Sequence, residues 1–292
     1  MAPTRKLSGD KKKSGKTKRK SNKDNRKTRS KKQKGGNSSY YNIVQAIESG
    51  NSNILERLLK SKDASEYVNM DNGSMEGPPL VRATAYGNST RDIKNILKAG
   101  ADVNGKNNED YTALMYASYD GKTDIVKILL DAGADVNAKN KDGDTAVTLT
   151  ISLLRNPEKR REIIQMLLDG GADVNAQDNA GRTALTIASN YGYADIVSIL
   201  LEKGADVDAK TEYGETALTI ANEFEYPEIV ELIKNHIKNI KQENLRTTRL
   251  VTTKGTSKKD ETPLMTKGQR DMGTIIAKFL NPKGGYKKKQ HQ

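Results

Sequence analysis

Residues 129–146 read LLDAGADVNAKNKDGDTA. The pentapeptide at the centre, Gly-Ala-Asp-Val-Asn, stands intact at Gly100–Asn104, Gly133–Asn137 and Gly171–Asn175, and a fourth copy, Gly204–Asp208, ends in Asp. The copies start 33, 38 and 33 residues apart. A fixed interval of that size marks one supersecondary unit stacked on copies of itself.

More than the pentapeptide recurs. Thr-Ala-Leu stands at 112–114, 183–185 and 216–218, with Thr-Ala-Val at 145–147. An acid followed by Ile stands at Asp92-Ile93, Asp124-Ile125, Glu162-Ile163, Asp195-Ile196 and Glu228-Ile229. Apolar residues then follow at helical spacing, as at Ile125, Ile128 and Leu129. The acid falls where a helix begins, a place the helix dipole favours for a carboxylate. The Gly of each pentapeptide falls where that helix ends, as a capping glycine does. Each unit therefore reads as a short helix, a turn, a second helix, a glycine cap and an extended loop. The loop reverses at Gly143, Gly181 or Gly214. One unit cannot bury its apolar stripe alone, whereas stacked neighbours can, so the expected fold is an all-α repeat solenoid.

This pattern resembles the ankyrin repeat, with its period of about 33, its D-G-x-T-P-L-H-x-A opening and its G-A-D-V-N close. The stretch GETALTIA, 214–221, is a near match, and the resemblance covers roughly residues 40–237. It implies six stacked helix-turn-helix units with β-turn fingers, at 40–73, 74–106, 107–139, 140–177, 178–210 and 211–237. The first has helices but no finger, and the last ends without its pentapeptide, as terminal caps would. The family's proline survives only as Pro79, and its histidine is replaced by Val81, Met115, Thr148, Thr186 and Thr219. That puts the inter-turn hydrogen bonds of the histidine in doubt, with threonine a partial substitute. The second unit has Glu76 in place of the finger glycine. The fourth carries five extra residues within SLLRNPEKRRE, where Asn156-Pro157 reads as a helix restart. The insertion is expected to lengthen the inter-helix loop and expose Lys159, Arg160 and Arg161.

Composition narrows the chemistry. The 292 residues include no cysteine and two histidines, His236 and His291, so thiol chemistry is excluded and a histidine-based site is not expected. Ser14-Gly15-Lys16-Thr17 looks like the end of a phosphate-binding loop, but Asp10 stands where the first glycine belongs and no strand precedes it. No catalytic constellation and no cofactor are expected. No apolar run approaches the ~20 residues of a membrane span, and no signal-peptide pattern is seen. An intracellular protein of the cytoplasm or nucleus, not a secreted one, is the expectation.

The net charge of +13 divides unevenly. Residues 1–36 carry 16 Lys/Arg against 2 Asp/Glu, residues 237–292 carry 14 against 4, and the middle carries 20 against 31. An acidic body thus lies between two basic arms. Residues 1–39 form a Lys/Arg-rich tail, expected to be disordered, with its charge at Lys11, Lys12, Lys13, Lys18, Arg19, Lys20, Lys31 and Lys32. It suits an import receptor, a nucleic-acid backbone, a solubilising role, or a fold back onto the acidic body. Residues 238–292 form a second basic tail, into which the last solenoid helix can extend. A short amphipathic helix is expected near 271–280, where Met272, Ile275, Ile276, Phe279 and Leu280 share one face.

Ankyrin solenoids bind macromolecules on a concave face built from fingers and first helices. Carried over, that face offers Glu109, Tyr111, Asp144, Tyr213 and Glu215 from the fingers. The first helices add Tyr86, Tyr119, Asp120, Asn190, Tyr191 and Phe224. Tyrosine is enriched at interfaces, and the interleaved acids favour a partner with basic or hydroxyl groups. The reading is a non-enzymatic protein–protein interaction scaffold, expected to be a monomer, for a partner the sequence does not name. The alternative is a nucleic-acid-associated adaptor whose tails grip phosphates without sequence preference. Lysine-rich tails around divergent repeats also look similar to proteins of large DNA viruses of protists.

Overall fold

Four threonines start four helices. Thr112, Thr145, Thr183 and Thr216 lie in extended backbone, and each accepts a 3.3 Å hydrogen bond from the N–H three residues on. In the last three, the threonine at that third position bonds back to the capping N–H, closing a capping box that satisfies two otherwise orphaned donors. Thr148, Thr186 and Thr219, which replace the family's histidine, thus serve the helix start of their own unit. Thr148 Oγ1 also donates to Asp144 (3.0 Å).

The computed structural model describes residues 38–70, 76–87 and 89–254, the side chains of 247–254 excepted. The arm residues Lys11 to Lys32 and the helix expected near 271–280 lie outside the described residues. The helices are α1 (38–48), α2 (Ser52–Leu59), α3 (Ala64–Tyr67), α4 (Pro79–Tyr86), α5 (Thr90–Lys98), α6 (Ala113–Tyr119) and α7 (Thr123–Asp131). They continue as α8 (Ala146–Leu153), α9 (Pro157–Asp169), α10 (Ala184–Asn190), α11 (Ala194–Glu202), α12 (Ala217–Glu223) and α13 (Pro227–Lys254). Among the described residues the β structure is one isolated bridge, Lys106 to Thr112. The fold is the expected all-α solenoid.

Two layers run along the stack. The first helices α4, α6, α8, α10 and α12 pack side by side, as do α2, α5, α7, α9 and α11. Between them lies one apolar core, including Leu114, Ile125, Leu129, Ile163, Leu185, Ile196, Leu200, Ile229 and Ile233, all buried. Gly100, Gly133, Gly171 and Gly204 end the second helices at φ between 84° and 92°, as the capping role requires. Gly143, in the finger, is more constrained: it holds φ +81°, and a Cβ there would meet the backbone nitrogen of Asn179 at 2.7 Å. In the third unit Asp110 holds the same place at φ 61°. In the second, Gly77, one position after the aligned Glu76, holds φ 75°.

The recurrent Asn explains the recurrent loop. Asn104 Oδ1 accepts from the N–H of Asp135 (2.7 Å), Asn137 from Asp173 (2.7 Å) and Asn175 from Asp206 (2.8 Å). The amides of Asn137 and Asn175 also donate to the carbonyls of Gly171 (3.2 Å) and Gly204 (3.4 Å). Within each loop, Asp102, Asp135, Asp173 and Asp206 each accept from the N–H two residues on, at 2.9 Å. The pentapeptide is therefore a ladder in which each Asn joins its own loop to the next. Asn69 makes the same pair of bonds, to Asp102 N–H (2.6 Å) and Gly100 O (2.8 Å), so Val68-Asn69 is the first rung. The fourth copy ends in Asp208, and helix α12 and the long α13 follow with no further pentapeptide.

The insertion corrects three expectations. Asn156 caps α9 through a bond from Lys159 N–H (2.9 Å), with Pro157 in first place, as read from sequence. The extra residues therefore lengthen the helix at its start. Glu162, aligned with the helix-opening acids, lies inside α9, and Glu158 takes the first-turn place. Lys159 and Arg161 are exposed, but Arg160 is 4% exposed. Positions 160, 163, 164, 167 and 168 form one helical face with Ile163, Ile164, Leu167 and Leu168, all buried. The Arg160 guanidinium survives there because Nη1 donates to Leu154 O (3.0 Å) and its carbon lies 3.5 Å from the Tyr193 ring centroid.

Candidate interaction face

Each finger is shaped by its first residue. Asn107, Asn140 and Asp178 are buried, and each Oδ1 accepts from the N–H groups two and four residues on, at 2.8–3.0 Å. Thr211 does the same for Glu215 (3.3 Å). Adjacent fingers are joined by backbone bonds, Lys141 N to Glu109 O (3.2 Å), Asn179 N to Asp142 O (3.0 Å) and Glu212 N to Ala180 O (2.9 Å). These bonds tie the fingers into a row, and hollows lined by finger and first-helix residues lie between neighbouring units.

Two such hollows collect ten of the eleven candidate residues. The first, between the second and third units, is lined by Tyr86, Glu109, Tyr111, Tyr119 and Asp120, with Glu76, Asn107 and Tyr116. The second, between the fifth and sixth, is lined by Asn190, Tyr191, Tyr213, Glu215 and Phe224, with Arg182, Ile187, Ile220 and Glu223. The eleventh, Asp144, lies in the fourth unit, half-buried, and accepts the Thr148 hydroxyl. Burial pushes its carboxyl above the usual range.

The first hollow is largely self-satisfied. Tyr111, Tyr116 and Tyr119 pack on one another with centroids 5.4–6.4 Å apart, and Asn107 donates to the Tyr116 hydroxyl (3.1 Å). Tyr119, expected as a free contact ring, is half-buried in this cluster, and burial drives its hydroxyl well above the usual phenol range. Tyr116 was not among the sequence candidates. It follows Met115 on α6, and only the folding of Tyr111 over it reveals the cluster. Tyr86 is exposed and donates to Glu76 (3.1 Å). Glu76 also pairs with Arg82, Glu109 with Lys141 (3.4 Å) and Asp120 with Lys122 (2.8 Å).

The second hollow is open. Tyr191 is 46% exposed, Phe224 51% and Tyr213 80%. Tyr191 stacks on Tyr193 (5.5 Å) and Phe224 on Tyr226 (6.4 Å), so both rings are held with a face toward solvent. The cation of the lining, Arg182, is taken by Asp178 (2.6 Å), which leaves Glu215 and Glu223 unmatched by any lysine or arginine of the lining. The Tyr213 hydroxyl donates to Glu212, which raises its pKa. The arrangement offers aromatic faces and carboxylate acceptors together.

No helix among the described residues is long and apolar enough to cross a membrane. No curated protein matches the chain. The family model for ankyrin repeats matches residues 43–140 and again 149–244, well over half of the chain. Ankyrin repeats generally mediate protein–protein interaction and are typically non-catalytic. By its repeat, its stacked helix pairs and this match, the chain belongs to the ankyrin repeat family.

Proposed function

We propose that the chain is a non-enzymatic scaffold that binds a protein partner on the face formed by its fingers and first helices. The second hollow is the principal contact. The observation that carries this is the gathering of three exposed rings, Tyr191, Tyr213 and Phe224, beside Glu215 and Glu223. Large rings on a soluble face cost little conformational entropy on binding and are over-represented among residues that dominate interface energy. The test is capture of protein partners by the full chain and by a Tyr213→Ala/Phe224→Ala variant. Both rings are more than half exposed, so the variant should melt with the parent. Loss of the captured protein at unchanged melting temperature supports the reading, and unchanged capture removes it.

The charge of the arms favours a second reading, in which residues 1–36 and 237–292 grip nucleic acid through phosphates. Titration of the full chain against duplex DNA and RNA at two salt concentrations tests it. Binding that weakens steeply with salt, and is lost on changing Lys11–Lys13, Lys18–Lys20, Lys31 and Lys32 to Gln, would support it.

A further inference from the structure

The two hollows stand in the same register. Both lie between neighbouring units, each lined by finger and first-helix residues, and the row of helices α4, α6, α8, α10 and α12 passes from one to the other. The fourth unit lies between them. Its first helix, AVTLTISL, has no aromatic residue, and Ala146 to Ile151 are buried. Its finger tip is Lys141-Asp142-Gly143-Asp144. The ring-bearing sites are thus separated by a stretch without rings, three helix steps from centre to centre. At 8–10 Å per packed helix pair the separation is roughly 25–30 Å. An extended polypeptide rises about 3.3 Å per residue and covers it in about eight or nine residues.

We infer that the face is read by one extended basic segment of a partner protein, with two cationic anchors about eight residues apart, one in each hollow. The inference rests on the interaction-scaffold reading and specifies its partner. Arginine fits best: its flat guanidinium lies on aromatic faces while its N–H groups fork onto carboxylates. In the second hollow the Tyr191 and Phe224 rings supply the faces and Glu215 and Glu223 the carboxylates. In the first hollow the exposed Tyr86 ring supplies the face and Glu109 the carboxylate, the arginine displacing Lys141 from its exposed 3.4 Å pair with Glu109. The solenoid between residues 37 and 236 carries 31 acidic against 20 basic residues, which steers such a segment toward it.

The test uses the full chain and labelled peptides in which two Arg-Arg pairs are joined by stiff proline spacers of about two, about eight or about 24 residues, which extend about 3.1 Å per residue, read by fluorescence anisotropy. The middle spacer should bind tightest, about tenfold tighter than the short one, which cannot span, and several-fold tighter than the long one. Tyr191→Ala/Phe224→Ala and, separately, Tyr86→Ala/Glu109→Gln should each reduce the middle peptide to the level of a single Arg-Arg pair and erase the spacing preference. Melting temperatures confirm that the variants remain folded. Affinity that follows total charge whatever the spacing overturns the inference. So does displacement of the probe by a peptide of residues 5–34, if the probe also binds tighter once Lys11–Lys13 and Lys18–Lys20 are Gln, because the chain's own arm is then the occupant. Should hollow variants lose the captured protein while spacing has no effect, the bridging geometry fails and the scaffold reading stands. Should they alter neither, both fail.

Discussion

Asn137 and Asp208 hold the same place in the repeat and should answer to substitution differently. Asn137 accepts from Asp173 N–H and donates to Gly171 O, so it needs both halves of its amide. Asn137→Asp keeps the acceptor, loses the donor and sets a carboxylate against a carbonyl. We expect a loss of about 1 kcal/mol in urea unfolding. Asp208→Asn has no following pentapeptide to serve and should change stability by less than about 0.5 kcal/mol. Asp144 offers a second test. Burial holds its folded pKa above the ordinary 3.8, so the native state binds the proton more tightly than the unfolded chain does. Ionised Asp144 therefore subtracts stability above its folded pKa. That penalty fades as pH falls through the folded pKa and is gone below the ordinary one. Asp144→Asn, which can still accept the Thr148 hydroxyl, should raise the melting temperature at neutral pH, with the gain vanishing in acid. A gain that persists unchanged at low pH would show that the charge is not the cause.

At the scale of elements, α9 shows what a single sequence makes legible. Asn156-Pro157 fixes its start by local chemistry, and Asn156→Ala should cost about 1 kcal/mol in thermal unfolding. By its charge alone Arg160 reads as exposed. Once the start at Pro157 is fixed, the 3.6-residue period puts it on the face of Ile163 and Ile164, and Tyr193 of the next unit supplies the ring that makes burial tolerable. The first rung of the ladder was equally present in Val68-Asn69, but without Gly-Ala-Asp ahead of it the match is too short to notice. Thr148, Thr186 and Thr219 are expected from sequence as partial substitutes for the histidine's inter-turn bonds. Their bonds turned out to be local capping bonds, since a capping box lies within four residues. The candidate face was legible as a set of register positions. Its division into a closed hollow and an open one was not, because that depends on which rings meet across units, as Tyr111 meets Tyr116 and Tyr119.

For the whole molecule, the decisive property is that units pack on their immediate neighbours along two parallel rows. Stability of such a stack is close to a sum of unit and interface terms. Leu129→Ala, in the third unit and 0% exposed, should cost about 2–5 kcal/mol. Its effect should be felt on both sides, with hydrogen exchange speeding in the second and fourth units as well as the third. Exchange changes confined to the third unit would contradict nearest-neighbour coupling.

The ladder of Asn side chains also sets a rule for how such a chain can grow. A block of 33 residues, such as 178–210, can be copied and inserted after itself while keeping every helix pair in register. The earlier copy, however, would then end in an Asp where the following loop presents a glycine carbonyl that calls for an N–H. Duplication of that block should yield a well-joined seven-unit protein only when the Asp of the leading copy is changed to Asn. Duplication of 107–139, which already ends its loop in Asn137, should need no such repair.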